Sequence, residues 1–151
     1  VWRGAAPGEP PITANDTVTL ALFKPFSLPT DPVEQPLAGE LRKLAARVDY
    51  FEFDAEPSEA LARQCSHQAS ASDKVVVAVI AKPAAWHAFG LTPAQQALAM
   101  RLAERGNAVV AALGVDAALD AFPDRLARLC AFSDVPASQA AVAEALGGVR
   151  A

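Results

Sequence analysis

The run KVVVAVIA, residues 74 to 81, narrows the possible folds more than any other stretch of the chain. It is apolar at every position after its lysine, so both alternating faces of a strand built from it are apolar. A strand tolerates that only when both faces are covered, as in a parallel sheet between two layers of helices. Residues 108–114, AVVAALG, repeat the pattern. Around these two lie TVTLALF (17–23), in which Val18, Leu20 and Leu22 alternate with smaller residues, YFEFD (50–54) and RLCAF (128–132). Five strands are therefore expected.

Helical spacing fills the gaps between them. In 37–48 Leu37, Leu41, Leu44 and Val48 make one apolar stripe, which predicts a helix of about three turns. In 57–68 Pro57 falls in the first turn, Leu61 and Cys65 stand four apart, and Glu59 can pair with Arg63. Thr92, Pro93 and Gln95 read as a capping box for a helix that turns Ala94, Leu98 and Leu102 inward and stops at Gly106. DAALDAF (116–122) is a short helix closed by Pro123, and PASQAAVAEALGG carries Val142 and Leu146, with Gly147 as a left-handed C-cap. Strand then helix, five times over, implies right-handed crossovers. The expected fold is an open, mainly parallel α/β sandwich of five to six strands with helices on both faces, flavodoxin-like or Rossmann-like.

At 151 residues this is one domain. Residues 17–148 form it, 149–151 are a tail, and the Gly/Pro-rich 1–16 reads as linker-like. The chain opens on Val1 and its only methionine is Met100, the look of a piece of a longer or processed product. A net charge of −4 gives no electrostatic pull toward nucleic acid or anionic membrane. The longest strongly apolar run, Val75 to Ala81, is seven residues, against the roughly 20 that cross a bilayer. A soluble protein is expected, with no nucleic-acid or membrane partner, and its compartment, cytoplasmic or exported, stays open. The two cysteines, Cys65 and Cys130, lack the spacing of a disulfide framework or zinc site and read as buried thiols.

In an open parallel sheet, ligands sit beyond the carboxyl ends of the strands. Lys24 and Phe26, Asp54 and Glu56, Lys82 to His87, Gly114 to Asp116, and Ser133-Asp134 occupy those positions. Of these, Lys82, Trp86, His87 and Asp116 are the candidate binding residues. Polar residues gather at strand ends in any such fold, and an aromatic after a strand can plug the sheet–helix junction as readily as stack on a sugar. No GxGxxG or GxxxxGK[ST] cradles a phosphate, no GxSxG elbow presents a nucleophile, and Cys65 and His67 point to different faces of their helix. Asp116 and Asp120 share one side of a short helix and so do not flank a glycosidic bond. No cofactor, no metal and no catalytic residue is expected.

The order of motifs resembles a known family. A strand ending in a basic residue with a tryptophan after it (Lys82, Trp86) precedes Gly90, Leu91, Pro93 and Gln95 or Gln96 at a helix start. A strand ending in Gly114, then Phe122-Pro123, Phe132-Ser133-Asp134 and Ser138-Gln139-x-Ala141 follow. This resembles the C-terminal α/β sandwich domain of bacterial family 3 glycoside hydrolases, in particular the two-domain β-N-acetylglucosaminidases. The match is good over 74–148, weaker over 17–60 and absent before residue 12. It implies a partner: in that family the nucleophilic aspartate and the histidine-containing acid/base loop lie in an N-terminal (β/α)8 barrel, with a Lys-His-Phe-Pro-Gly type motif. That motif is missing here, and 151 residues do not hold a barrel of about 250. Where family members often have Ser-Pro-Tyr after the glycine, this chain has Val115-Asp116-Ala117.

The resemblance thus implies a non-catalytic domain, inactive alone, that packs on a barrel and helps close its sugar site through Lys82, Trp86, His87 and Asp116, with carbohydrate as the ligand. Two other classes fit the same residues: a stand-alone small-molecule or carbohydrate-binding module, and an assembly domain.

Overall fold

A computed structural model describes residues 1–4, 7, 11–83 and 89–148. Its six strands are β1 (Trp2–Arg3), β2 (Thr17–Phe23), β3 (Arg47–Phe53), β4 (Lys74–Ile80), β5 (Ala108–Leu113) and β6 (Ala127–Ala131). Four α-helices connect or follow them: α1 (Pro36–Arg42), α2 (Glu59–Ala71), α3 (Pro93–Ala103) and α4 (Pro136–Leu146). A 3-10 helix, Asp116–Ala121, joins β5 to β6.

The strands form one sheet in the order β1-β6-β5-β4-β2-β3, parallel throughout except for β1, which runs antiparallel to β6. The two-faced β4 lies inside it, between β2 and β5. Alternate residues feed two cores. Val76, Ala78 and Ile80 pack with Leu37 and Leu41 of α1 and Val142 and Leu146 of α4. Val75, Val77 and Val79 pack with Cys65 of α2 and Leu98 and Leu102 of α3. Each large aliphatic side chain fully buried in these layers contributes about 1.5–3 kcal/mol.

The structure moves several sequence boundaries. α1 is seven residues long, not three turns, because Arg47 to Phe53 run in register with Thr17 to Phe23. Val48 still reaches the α1/α4 core, but from the strand. In α3 the inward face holds Gln95, Leu98, Ala99 and Leu102, while Ala94 is exposed. At the end of α4 the left-handed residue is Gly148 (φ 91°), and Gly147 has φ −82°.

The linker-like reading of 1–16 does not hold for Trp2, Arg3 and Ile12. The outer edge of β6 leaves backbone groups unpaired, and Trp2-Arg3 pairs with Leu129 and Arg128 there. Trp2 packs on the α1/α4 core, and Ile12 is buried in it with its N–H on the Leu146 carbonyl at 3.0 Å.

One glycine is fixed by space. Gly114, where β5 ends, has φ 130°, and a Cβ there would lie 2.1 Å from the Ala81 carbonyl oxygen. No other residue fits that approach.

Candidate functional site

The strand order places a topological switch between β2 and β4: β2 leads outward to β3, and the chain then crosses back to β4. The loop after β2 enters the α1 layer and the loop after β4 enters the α3 layer, so the two diverge and leave a crevice. A cleft of about 40 Å³ opens there, lined by Lys24, Pro25, Phe26, Leu28, Asp31, Gln35, Ile80, Lys82 and Asp134. It has room for two or three waters and not for a sugar ring.

The charges in the cleft are already matched. Lys24 Nζ stands 2.6 Å from Glu52 and 3.4 Å from Asp31, with only 8% of its side chain exposed. Burial works against that ammonium, but the Glu52 and Asp31 carboxylates outweigh it and hold its pKa above the ordinary lysine value. Asp31 also accepts the Leu28 N–H at 2.7 Å, and this bond, with the facing lysines, holds its carboxyl below the usual range. Lys82 pairs with Asp134 at 2.5 Å.

Behind Lys24 the network continues. Tyr50 donates to Glu52 at 2.5 Å and accepts the Gln35 N–H at 3.2 Å, and burial together with the Glu52 carboxylate pushes its phenol pKa up.

Two glutamines in the first turns of helices lock this edge. Gln95 Nε2 donates to the Lys24 carbonyl at 2.9 Å and the Asp54 carbonyl at 2.7 Å, while its Oε1 accepts the Thr92 N–H. Gln139 Nε2 donates to Asp134 O at 2.7 Å and Gln35 Oε1 at 3.0 Å, and its Oε1 accepts the Leu37 N–H. Each side chain ties strand-end backbone to a helix start, so the ends of β2, β3 and β6 are held by fully paired buried polar groups.

Of the sequence candidates, Lys82 lines the cleft. Asp116 does not: it starts the 3-10 helix and pairs with Arg3 at 3.2 Å, beside an Arg3–Asp120 pair at 3.0 Å. Trp86 and His87 fall outside the described residues. Ser133, the one serine considered as a nucleophile, accepts the Val135 N–H at 3.2 Å. Cys65 is buried, and burial pushes its thiol up to about 12, far from a reactive thiolate. Among the described residues no group of three or more His, Cys, Asp or Glu is placed to hold a metal, and no helix is long and apolar enough to cross a membrane.

Sequence reasoning missed Asp31, Glu52 and the glutamine locks as parts of this edge. The first-turn glutamines of α3 and α4 were visible as motif residues, but nothing in the spacing tells which carbonyls they meet. The arrangement can hydrogen-bond hydroxyls. Among the described residues it offers no free cation for an anion and no nucleophile–base pair.

No protein-family model and no curated protein sequence matches the chain. Solved structures do. A family 3 glycoside hydrolase β-N-acetylglucosaminidase from Paenibacillus sp. strain FPU-7 superposes with TM-score 0.74 and 21% identity, over 97% of this chain and 28% of its own. A β-glucosidase from Listeria innocua, solved with isofagomine, gives 0.68 and 16%, over 99% and 24%. A fungal multi-domain β-N-acetylglucosaminidase of the same family gives 0.62 and 19%, over 90% and 14%. This chain therefore has the fold of one segment of family 3 glycoside hydrolases and spans at most 28% of the proteins it matches.

Proposed function

We propose that this chain is the non-catalytic C-terminal domain of a family 3 glycoside hydrolase-like protein, of the β-N-acetylhexosaminidase kind, packing on a barrel outside this sequence and lending one wall to its sugar site. The observation that carries the reading is the partial match: a fold that covers 97% of this chain makes up 28% of a β-N-acetylglucosaminidase. The site agrees with it. A 40 Å³ cleft whose lysines and carboxylates already pair with each other cannot enclose a sugar, but it can furnish hydrogen bonds along one side of a pocket that another domain completes. Lys82, which lines the cleft, is the residue proposed for that role, and Trp86 and His87, which follow it in sequence, are proposed with it. Asp116, held by Arg3, serves the neighbouring rim.

The test is turnover of an aryl N-acetyl-β-glucosaminide. The isolated chain is expected to be inactive and a barrel-containing product active; turnover by the isolated chain that disappears on substituting one of its own carboxylates would refute the reading. A stand-alone carbohydrate-binding module, the second reading, has the switch-point crevice in its favour. It requires saturable thermal stabilisation by a sugar.

A further inference from the structure

We propose that the cleft at the switch point is a binding site for a small carboxylate, and that Asp31, carried on the loop between β2 and α1, is the chain's own competitor for it. The inference concerns this chain alone and does not depend on a barrel. The Asp31 carboxylate is the part of its loop that enters the cleft. Residues 27–30 and 32–34 are exposed, whereas the Asp31 side chain is 26% exposed and lines the cavity with Lys24 and Lys82.

The contacts of that carboxylate differ in strength. Oδ2 accepts the Leu28 N–H at 2.7 Å, and the Asp31 N–H donates to the Leu28 carbonyl at 3.0 Å. Both bonds lie inside the loop and close 28–31 into a turn that can move as a unit. From Oδ2 to Lys24 Nζ the distance is 3.4 Å, long for a charge-assisted bond, which runs at roughly 2.7–2.9 Å. Among the described residues this is the only hydrogen bond or ion pair that ties 27–33 to the rest of the chain.

Lys24 is anchored elsewhere. Its Nζ stands 2.6 Å from one oxygen of Glu52, whose other oxygen accepts the Tyr50 hydroxyl at 2.5 Å, so the ammonium keeps its place when the loop leaves. An ammonium carries three donors, and one is enough for Glu52. The size of the ligand follows from what it replaces. Beyond its Cα the Asp31 side chain is an acetate group, and its withdrawal adds that volume to a cleft of about 40 Å³. A carboxylate on a short stem fits the enlarged space, meets Lys24 with Lys82 lining the same cleft, and sends the rest of its molecule out where the loop stood. One carboxylate leaves as another enters, so the exchange buries no unpaired ion, the costly case.

Acetate titrated into the 151-residue chain and into its Asp31→Ala variant, followed by amide NMR shifts with sulfate at matched ionic strength as the control, tests this. Removing the competitor is expected to tighten acetate binding at least about tenfold, because apparent affinity is reduced by the fraction of molecules whose site is open. In the wild type, saturating acetate is expected to shift the amides of 28–31 as the turn is displaced. Adding Lys24→Met to Asp31→Ala is expected to abolish binding; where that double variant does not fold, Asp31→Ala against the wild type still decides. Equal affinity in the two, or no saturable binding to either, would overturn the inference. Acetate that binds Asp31→Ala but leaves the wild-type loop amides unmoved would show an engineered cavity only and overturn it as well, as would sulfate binding as tightly as acetate.

Discussion

The two ends of the same sheet are built differently. At the amino ends, loops are closed by short polar contacts: Asp73 accepts the Thr17 N–H at 2.8 Å and its hydroxyl at 3.0 Å, Thr19 meets Ser72 at 2.6 Å, and Asn107 donates to the Ser72 and Asp73 carbonyls. Arg105 reaches back to Ser70 and Ser66. Among the described residues no large apolar side chain is exposed there. At the carboxyl ends, buried glutamines and a buried lysine hold the frame while apolar side chains stand in solvent around a cleft. One end finishes the fold. The other has a buried, hydrogen-bonded polar frame with exposed apolar side chains above it.

Substitutions can break that contrast, and the largest effect is expected at Gly114. Gly114→Ala places a Cβ against the Ala81 carbonyl at a backbone angle that L-residues avoid, and it should destabilise by about 3 kcal/mol or more in denaturant unfolding. Gln95→Leu comes next: it strips the Lys24 and Asp54 carbonyls of their shared donor and should cost about 2–3 kcal/mol. A cost near zero would mean that the carboxyl-edge frame is not held as described.

Lys24→Met leaves Glu52 and Asp31 facing each other without their cation and should cost about 1–3 kcal/mol near neutral pH. Because the folded pKa of Lys24 is raised, its contribution is complete below 10.5 and is lost as pH rises through the folded value. The variant should accordingly lack part of the wild-type loss of stability in alkali, measured by thermal melts across that range.

Asp73→Asn probes the other end. The Thr17 N–H and hydroxyl bonds lower the Asp73 pKa, so its contribution is present above about 3.8 and lost as pH falls through the folded value. The variant should flatten the acid limb of the stability profile and leave the carboxyl edge untouched. Smallest of all, Val33→Asp alone should shift the stability of the isolated chain by no more than about 0.5 kcal/mol, since the residue touches little.

The frame of the fold is legible in local pattern. Residues 74–80 and 108–113 announce covered strands through apolarity on both faces, and Thr92-Pro93-x-Gln95 announces a helix start that the structure reproduces with both capping bonds. Glu59 and Arg63 meet at 4.0 Å as their spacing suggests. What escaped depends on partners distant in sequence. Trp2-Arg3 is too short to carry a period and becomes a strand only because β6 offers an open edge. Val48 fits a helical stripe and a strand face equally well, and pairing with β2 decides. Gln95 looks like a cap and is also a bridge to residues 71 and 41 positions away. In the candidate site, Lys82 was readable from its place after β4. Its partner Asp134 and the second lysine, Lys24, come together with it through the sheet order, which no local pattern encodes.

We propose that this chain is the accessory domain of a larger glycosidase. The intact mass of the native gene product, set against the 15.7 kDa of this chain, tests it most directly. A mass larger by at least a barrel of about 250 residues is the predicted result. A product of 15.7 kDa would contradict it and leave a free-standing domain.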